Sequence, residues 1–274
     1  MQQPAKPESC LNCNASLQGK YCHVCGQKFI EPSERRFIYF VKQFFGSAFF
    51  LENNFLKNAL FLLVKPGFLV KEFIEGRRRR YMAPFSLFLL INLLYFFISS
   101  LSDLNPSLWE QTEYQVYSSW TKTLVQNRLE RRQIAFKDYE SKYNMKSSEL
   151  AKTMIVLNVP IFALFIAMLF AKKTYYFADH FIFSLYLFSF VLLTIILSIG
   201  IEAVFRTIIG MSIWNIMALP FLGLFMVYQT VALKKVYQQN WFWTLLKSVL
   251  LLMAFMITHF FYRFILFAIT FAST

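Results

Sequence analysis

The sequence predicts an all-α polytopic membrane protein, with about five transmembrane helices and a small cysteine-bearing head at its N-terminus. Three observations carry that expectation. Of the 274 residues, 57% are hydrophobic, 19% aromatic and only 16% charged, well below the roughly one quarter charged that is usual in soluble domains. All four cysteines fall within residues 10–25, ahead of any long apolar run. The stretch from Lys65 to Phe85 (KPGFLVKEFIEGRRRRYMAPF) then separates the part that carries the cysteine head from the long apolar runs expected to span the membrane. A formal charge of +13 would suit nucleic acid. The aromatics, however, are mainly Phe inside apolar runs rather than residues interleaved with Lys and Arg on a polar face, so no nucleic acid is expected and an anionic membrane surface is the simpler partner.

Residues 1–9 read as a disordered lead-in and residues 10–30 as the head. Cys10 and Cys13 form one CxxC pair, eight residues intervene, and Cys22 and Cys25 form the second. Each pair lets a tight turn aim two thiolates at one ion about 2.3 Å away. Residues 1–36 contain no apolar stretch of signal-peptide type, so the head is expected in the reducing cytosol, where such a cluster points to a metal rather than to disulfides. The residue after the second cysteine of each pair needs positive φ, and Asn14 and Gly26 are the types that adopt it most readily. The spacer is short for a full ribbon, which predicts a minimal zinc-ribbon-like head of two knuckles. Its four thiolates, Cys10, Cys13, Cys22 and Cys25, leave no open position, so the expected Zn2+ is structural. His23 lies inside the second pair and is expected to point away. Zinc binding of about 10–16 kcal/mol in small peptides is enough to order a head with almost no apolar core.

Residues 31–83 are expected to form cytosolic interfacial helices and a polybasic stretch. Residues 37–51 make an apolar run too short to cross a hydrocarbon layer of about 30 Å, and a second short helix follows over 55–64. Pro66 suits the first turn of the next helix and Gly76 its closing residue. Arg77, Arg78, Arg79 and Arg80 follow at once. Such a run resists translocation and holds anionic lipid headgroups, at about 1 kcal/mol per basic residue near the surface.

The CxxC pair, then Gly19-Lys20-Tyr21-Cys22-His23-Val24-Cys25-Gly26-Gln27-Lys28, Arg35 and Arg36, Lys65-Pro66-Gly67, and Glu75-Gly76-Arg77-Arg78-Arg79-Arg80-Tyr81 ahead of Pro84 together resemble a family of uncharacterised bacterial membrane proteins catalogued as a domain of unknown function. The resemblance covers roughly residues 10–100. It implies a cytosolic zinc-ribbon-like head on a multi-pass protein of the bacterial inner membrane, and it implies no activity.

Residues 84–274 are expected to form the bundle, with spans at 84–101, 154–171, 181–201, 213–233 and 244–271, each near the 18 residues or more that a span requires. With the N-terminus cytosolic, the inner side carries the 13 Lys and Arg up to residue 83 together with Lys172, Lys173, Lys234 and Lys235. The outer side carries 8 in residues 102–152 together with Arg206. The short loops follow the positive-inside rule. The 102–152 loop, with 8 basic and 7 acidic residues, reads as one or two charged helices outside the membrane; a re-entrant 84–101 segment would instead leave it cytosolic. Charge within a span marks a candidate site, here Glu202, Arg206, His259 and Arg263. Glu202 and Arg263 are a potential pair, and His259 and Arg263, four apart, share a helix face. Asn158 and Pro160 mark a helix kink. Asp179-His180 at a membrane boundary is expected to be an anchor. No catalytic constellation is visible, so an enzyme is not expected. The sequence leaves two functions open: an assembly, scaffold or regulatory factor whose zinc head docks a cytosolic protein, or a transporter or lipid-handling protein that works through its spans.

Overall fold

The computed structural model describes residues 9–29, 54–98, 105–171, 174–210 and 212–274. The expected lead-in, the helix expected over 37–51 and the pair Arg35–Arg36 lie largely or wholly outside the described residues. The elements in order are α1 (Phe55–Val64), α2 (Phe68–Ile74), α3 (Pro84–Ile98), α4 (Leu108–Glu113), α5 (Ser118–Arg132), α6 (Phe136–Met154), a 3-10 turn (Ile155–Leu157), α7 (Asn158–Leu169), α8 (Phe177–Ile209), α9 (Trp214–Tyr237) and α10 (Trp241–Ser273). Among the described residues the extended pairing is confined to two isolated bridges in the head, Ser9 with Ser16 and Tyr21 with Lys28.

Among the described residues, four helical segments are long and apolar enough to cross a membrane: Phe136–Leu169, Phe177–Ile209, Leu219–Tyr237 and Trp241–Ser273. The chain is an all-α, multi-pass membrane protein with a cysteine head. Of the fifth expected span, 84–101, the described residues cover α3, 15 apolar residues that rise about 22 Å. The next expected span, 154–171, begins where the charged helix α6 ends, and a 3-10 turn joins α6 to α7 in one continuous helical segment. Pro160 has no N–H to offer the Val156 carbonyl. The chain answers by tightening into the 3-10 turn at 155–157 rather than by breaking.

The helices fall into two compact units, one formed by residues up to Tyr95 with Phe162–Met253, the other by Phe96–Ile161 with Ala254–Thr274. In the first, α8 is buried almost without interruption from Ala178 to Thr194, and Phe190 stacks on Tyr228 of α9. Gly67, at φ +68°, lets the KPG turn lie on the backbone of α9, since a Cβ there would sit 2.8 Å from the Ala232 carbonyl oxygen and 2.9 Å from its Cα. Only glycine allows that approach in that conformation. Asn58 of α1 is fully buried; it donates to the Asn54 carbonyl at 2.7 Å and accepts from the Met82 N–H at 3.3 Å, tying α1 to the chain that enters α3. His180 and Tyr237 are hydrogen-bonded at 2.7 Å inside this unit, and Tyr175 donates to the Val236 carbonyl. His180 therefore joins α8 to the end of α9, while Asp179 accepts from the Tyr176 N–H at 2.9 Å at the start of α8.

In the second unit, α4, α5 and α6 surround the end of α10 around Leu108, Val125, Tyr139, Tyr143 and Phe267. A capping box of Ser107 and Glu110 starts α4. Arg128 lies over the Phe271 ring at 3.5 Å and donates to the Phe271 carbonyl and the Tyr139 hydroxyl, while Arg132 donates to the Thr274 carbonyl at 2.6 Å. Two guanidinium groups thus satisfy the last carbonyls of α10, where the helix dipole favours positive charge.

Candidate metal centre

The four cysteines converge. Their sulfurs all lie within 4.8 Å of one another, with Cys10 Sγ 3.6 Å from Cys25 Sγ and Cys13 Sγ 3.5 Å from Cys22 Sγ. These separations are far beyond a disulfide bond, and all four thiols are free. A regular tetrahedron of sulfurs around an ion 2.3 Å away has edges of about 3.8 Å, so this set fits a tetrahedral metal ion bound by Cys10, Cys13, Cys22 and Cys25. Within so tight a group the protons are held unevenly. For Cys25, burial opposes ionisation, but the Gln27 N–H and the Asn12 side chain outweigh it and bring the thiol down to about 6. For Cys13 the Ala15 N–H favours the thiolate, yet burial and the neighbouring thiols push it up to about 12. Full ionisation of such a group calls for a cation at its centre, which is the linkage a metal site exploits.

The two knuckles are the same structure repeated twelve residues apart. In the first, Cys10 N–H donates to the Ala15 carbonyl and Asn14 N–H to the Cys10 carbonyl, both at 2.8 Å. In the second, Cys22 N–H donates to the Gln27 carbonyl at 2.9 Å and Gly26 N–H to the Cys22 carbonyl at 2.8 Å. Asn14 and Gly26 have φ of 60° and 70°, as the sequence predicts. The repeat also exposes its own exception. Gln27 occupies the place that Ala15 holds in the first knuckle, and its amide reaches out of the head: it donates to the Gly76 carbonyl at 2.6 Å and accepts from the N–H groups of Arg78 at 3.1 Å and Arg79 at 3.3 Å. Beside it, Leu11 lies against Gly76, where a Cβ would be 2.6 Å from Leu11 Cδ1. Gly76, at φ +93°, therefore closes α2 and receives the head in one step. Reading residues one motif at a time misses Gln27 and Leu11 as seating residues; the mismatch between Ala15 and Gln27 in the twelve-residue repeat is the signal that would have found Gln27.

The arginine run divides into two parts. Arg77 makes a bidentate pair with Glu72 at 2.7 Å and a further bond with Glu75, and those carboxylates, Glu72 foremost, hold its guanidinium still more firmly protonated. Arg78 stacks on the Phe73 ring at 4.6 Å and donates to the Phe73 carbonyl. Arg79 and Arg80 are the exposed members. Arg77 and Arg78 are thus engaged with α2, because that helix ends with carboxylates and an aromatic ring within reach.

The polar residues expected within the spans have local partners. Glu202, on α8, accepts from the Ile213 N–H at 2.9 Å in the turn that follows, with the Arg206 charge nearby. His259 stacks on Tyr262 within α10, and Arg263 adjoins Phe264, whose ring packs on Tyr117. The cysteines are the one predicted group that the described residues gather around a single point.

Comparison with known proteins agrees with this restricted picture. Residues 52–96 match the model of a family described as protein of unknown function (DUF3667). That segment holds α1, α2, the arginine run and most of α3, and it includes the glycine on which the head is seated. No curated protein and no solved structure matches the chain.

Proposed function

We propose that this is a non-enzymatic protein of the bacterial inner membrane whose cytosolic head binds a structural Zn2+ and presents a fixed surface to a cytosolic protein partner, as an assembly, scaffold or regulatory factor. The observation that carries this reading is the seating of the head: Gln27 and Leu11 hold it to the Gly76–Arg79 elbow, while Tyr21 and Val24 of the second knuckle remain 63% and 64% exposed. A metal head bolted to the elbow is oriented with respect to the membrane in a way that a tethered one is not, and exposed apolar side chains on a rigid knuckle suit a protein partner. Zinc is favoured by four thiolates in a closed tetrahedral set. Arg79 and Arg80 are the arginines available to anionic headgroups.

The test is a mild-detergent affinity purification of the wild type and of Cys22→Ser, recording zinc content and co-purifying proteins for both. Wild type is expected to carry about one zinc per four-cysteine site and a partner that the variant loses while still inserting in the membrane. Zinc without any co-purifying protein in either sample removes the docking role and leaves a head that only stabilises the elbow.

A second reading, a transporter or lipid-handling protein, is favoured by a buried polar cluster between α9 and α10. There Gln229 donates to the Ser248 carbonyl at 2.9 Å and hydroxyl at 3.0 Å, Thr230 donates to the same hydroxyl at 2.8 Å, and Gln229 Oε1 has no hydrogen-bonding partner among the described residues. On that reading Gln229→Leu abolishes function and Cys22→Ser does not.

A further inference from the structure

The turn that joins α4 to α5 presents apolar side chains outward. Tyr114 is 70% exposed, Val116 91% and Trp120 49%, in a segment whose charged surroundings lead one to expect water. Large apolar side chains of a water-exposed hairpin are normally turned inward, so what they face requires an account.

The position of the turn on α10 supplies one. The Tyr117 ring meets Phe260 and Phe264 at centroid separations of 5.6 and 5.3 Å, and Trp120 meets Phe264 at 5.5 Å. At this level α10 itself is apolar and outward-facing, with Ile257 48% and Phe261 53% exposed. Arg263, the first charged residue of α10 after Lys247, immediately precedes Phe264, whose ring meets Tyr117. The turn thus sits on the apolar surface of α10 just before the level at which α5 brings Arg128 and Arg132 against its last turn, and it carries the Trp and Tyr side chains that concentrate where lipid gives way to charge in membrane proteins. Its own charges do not prevent this. Between Ser107 and Thr121 the charged residues are Glu110 and Glu113. Glu110 accepts from the Ser107 N–H at 2.7 Å and Glu113 from Lys122 Nζ at 2.8 Å, so neither carboxylate enters the headgroup layer without a partner.

We propose that the α4–α5 turn is seated in the membrane interface, with Tyr114 and Val116 against phospholipid, continuous with the lipid-facing surface of α10. The partner of this surface is the bilayer itself rather than a protein.

The test places the photo-crosslinking residue benzoylphenylalanine at Val116 in the full chain, reconstituted in phosphatidylcholine–phosphatidylglycerol liposomes, and measures the intact mass after irradiation. A chain heavier by one phospholipid is expected. The same probe at Lys137, exposed at the start of α6, is expected to give no lipid adduct. A crosslink from position 116 to a second copy or to another protein, or a chain returned without adduct, overturns the proposal. Should the probe at Val116 prevent folding, hydroxyl-radical footprinting of the unaltered protein in the same liposomes decides. Tyr114 is then oxidised several-fold more slowly than Tyr21, which shares its chemistry and, at 63%, nearly its exposure; equal rates overturn the proposal.

Discussion

The head and the first helical unit are built on opposite principles. In the head the most buried side chains include two of the clustered cysteines, Cys10 and Cys22, each 2% exposed, and the described fold is two turns closed by four backbone bonds, with a fifth from the Phe29 N–H to the Lys20 carbonyl. In the helical unit the buried set is long and redundant, with α8 alone contributing sixteen buried residues from Ala178 to Thr194. The lesson is that damage should propagate differently in each. A structure held by one tetrahedral centre fails as a whole when a single ligand is lost, whereas a packed bundle loses stability in increments. The two kinds of structure meet at the elbow formed by Gly76 and its arginines.

The largest effect is expected from Cys22→Ser. With three thiolates the head loses most of the metal-derived free energy of about 10–16 kcal/mol. Zinc content should fall to near zero and residues 9–29 should become sensitive to protease, with membrane insertion unchanged. If the variant retained both zinc and protease resistance, the contrast between ligation and packing would fail.

Next comes Gly67→Ala, which strikes the bundle. A Cβ meeting the Ala232 backbone at 2.8 Å, in a residue held at positive φ, should cost about 2–5 kcal/mol from overpacking and backbone strain. Thermal unfolding in detergent should shift downward while zinc content stays at the wild-type level, because the damage is confined to packing.

Gly76→Ala is expected to be milder. The atom its Cβ would meet is the end of the flexible Leu11 side chain, so the backbone conformation dominates, at about 1–2 kcal/mol. Hydrogen exchange should quicken at residues 76–79 and in the first knuckle, with zinc retained. Gln27→Ala should quicken exchange at the Arg78 and Arg79 amides with a loss of about 1–2 kcal/mol, again without loss of metal. These two variants sharpen the comparison, since they separate docking of the head from its folding. The smallest effect concerns lipid. Arg79→Ala should weaken binding of phosphatidylglycerol by about 1 kcal/mol. Arg77→Ala should instead loosen the end of α2, seen as faster exchange there, with little change in lipid binding.

Much of this architecture could be read from local pattern. The CxxC spacing, Asn14 and Gly26 at the positive-φ places, the long apolar runs of α8 and α10 and the helical character of the 102–152 segment all depend on neighbours a few residues away. Readings that depended on distant partners fared differently. Gly76 was legible as a helix-closing residue, but not as the seat of the head, because Leu11 and Gln27 lie 65 and 49 residues away. Arg77 and Arg78 looked equivalent to Arg79 and Arg80 until α2 brought Glu72 and Phe73 beside the first two. The change of polarity at residue 154 coincides with the end of α6, and the 3-10 turn that carries the chain on into α7 is a detail that hydropathy does not reveal.

By itself the sequence determined that the chain is helical and membrane-bound, and that its head offers four thiolates in two knuckles. Hydropathy and turn geometry act over short stretches and need no knowledge of the rest of the fold. The tertiary structure alone decided where the head rests, which arginines remain exposed and how the α4–α5 turn lies along α10. Each of these is a meeting of segments far apart in the chain, settled by where glycines permit close approach and where aromatic rings and carboxylates find partners.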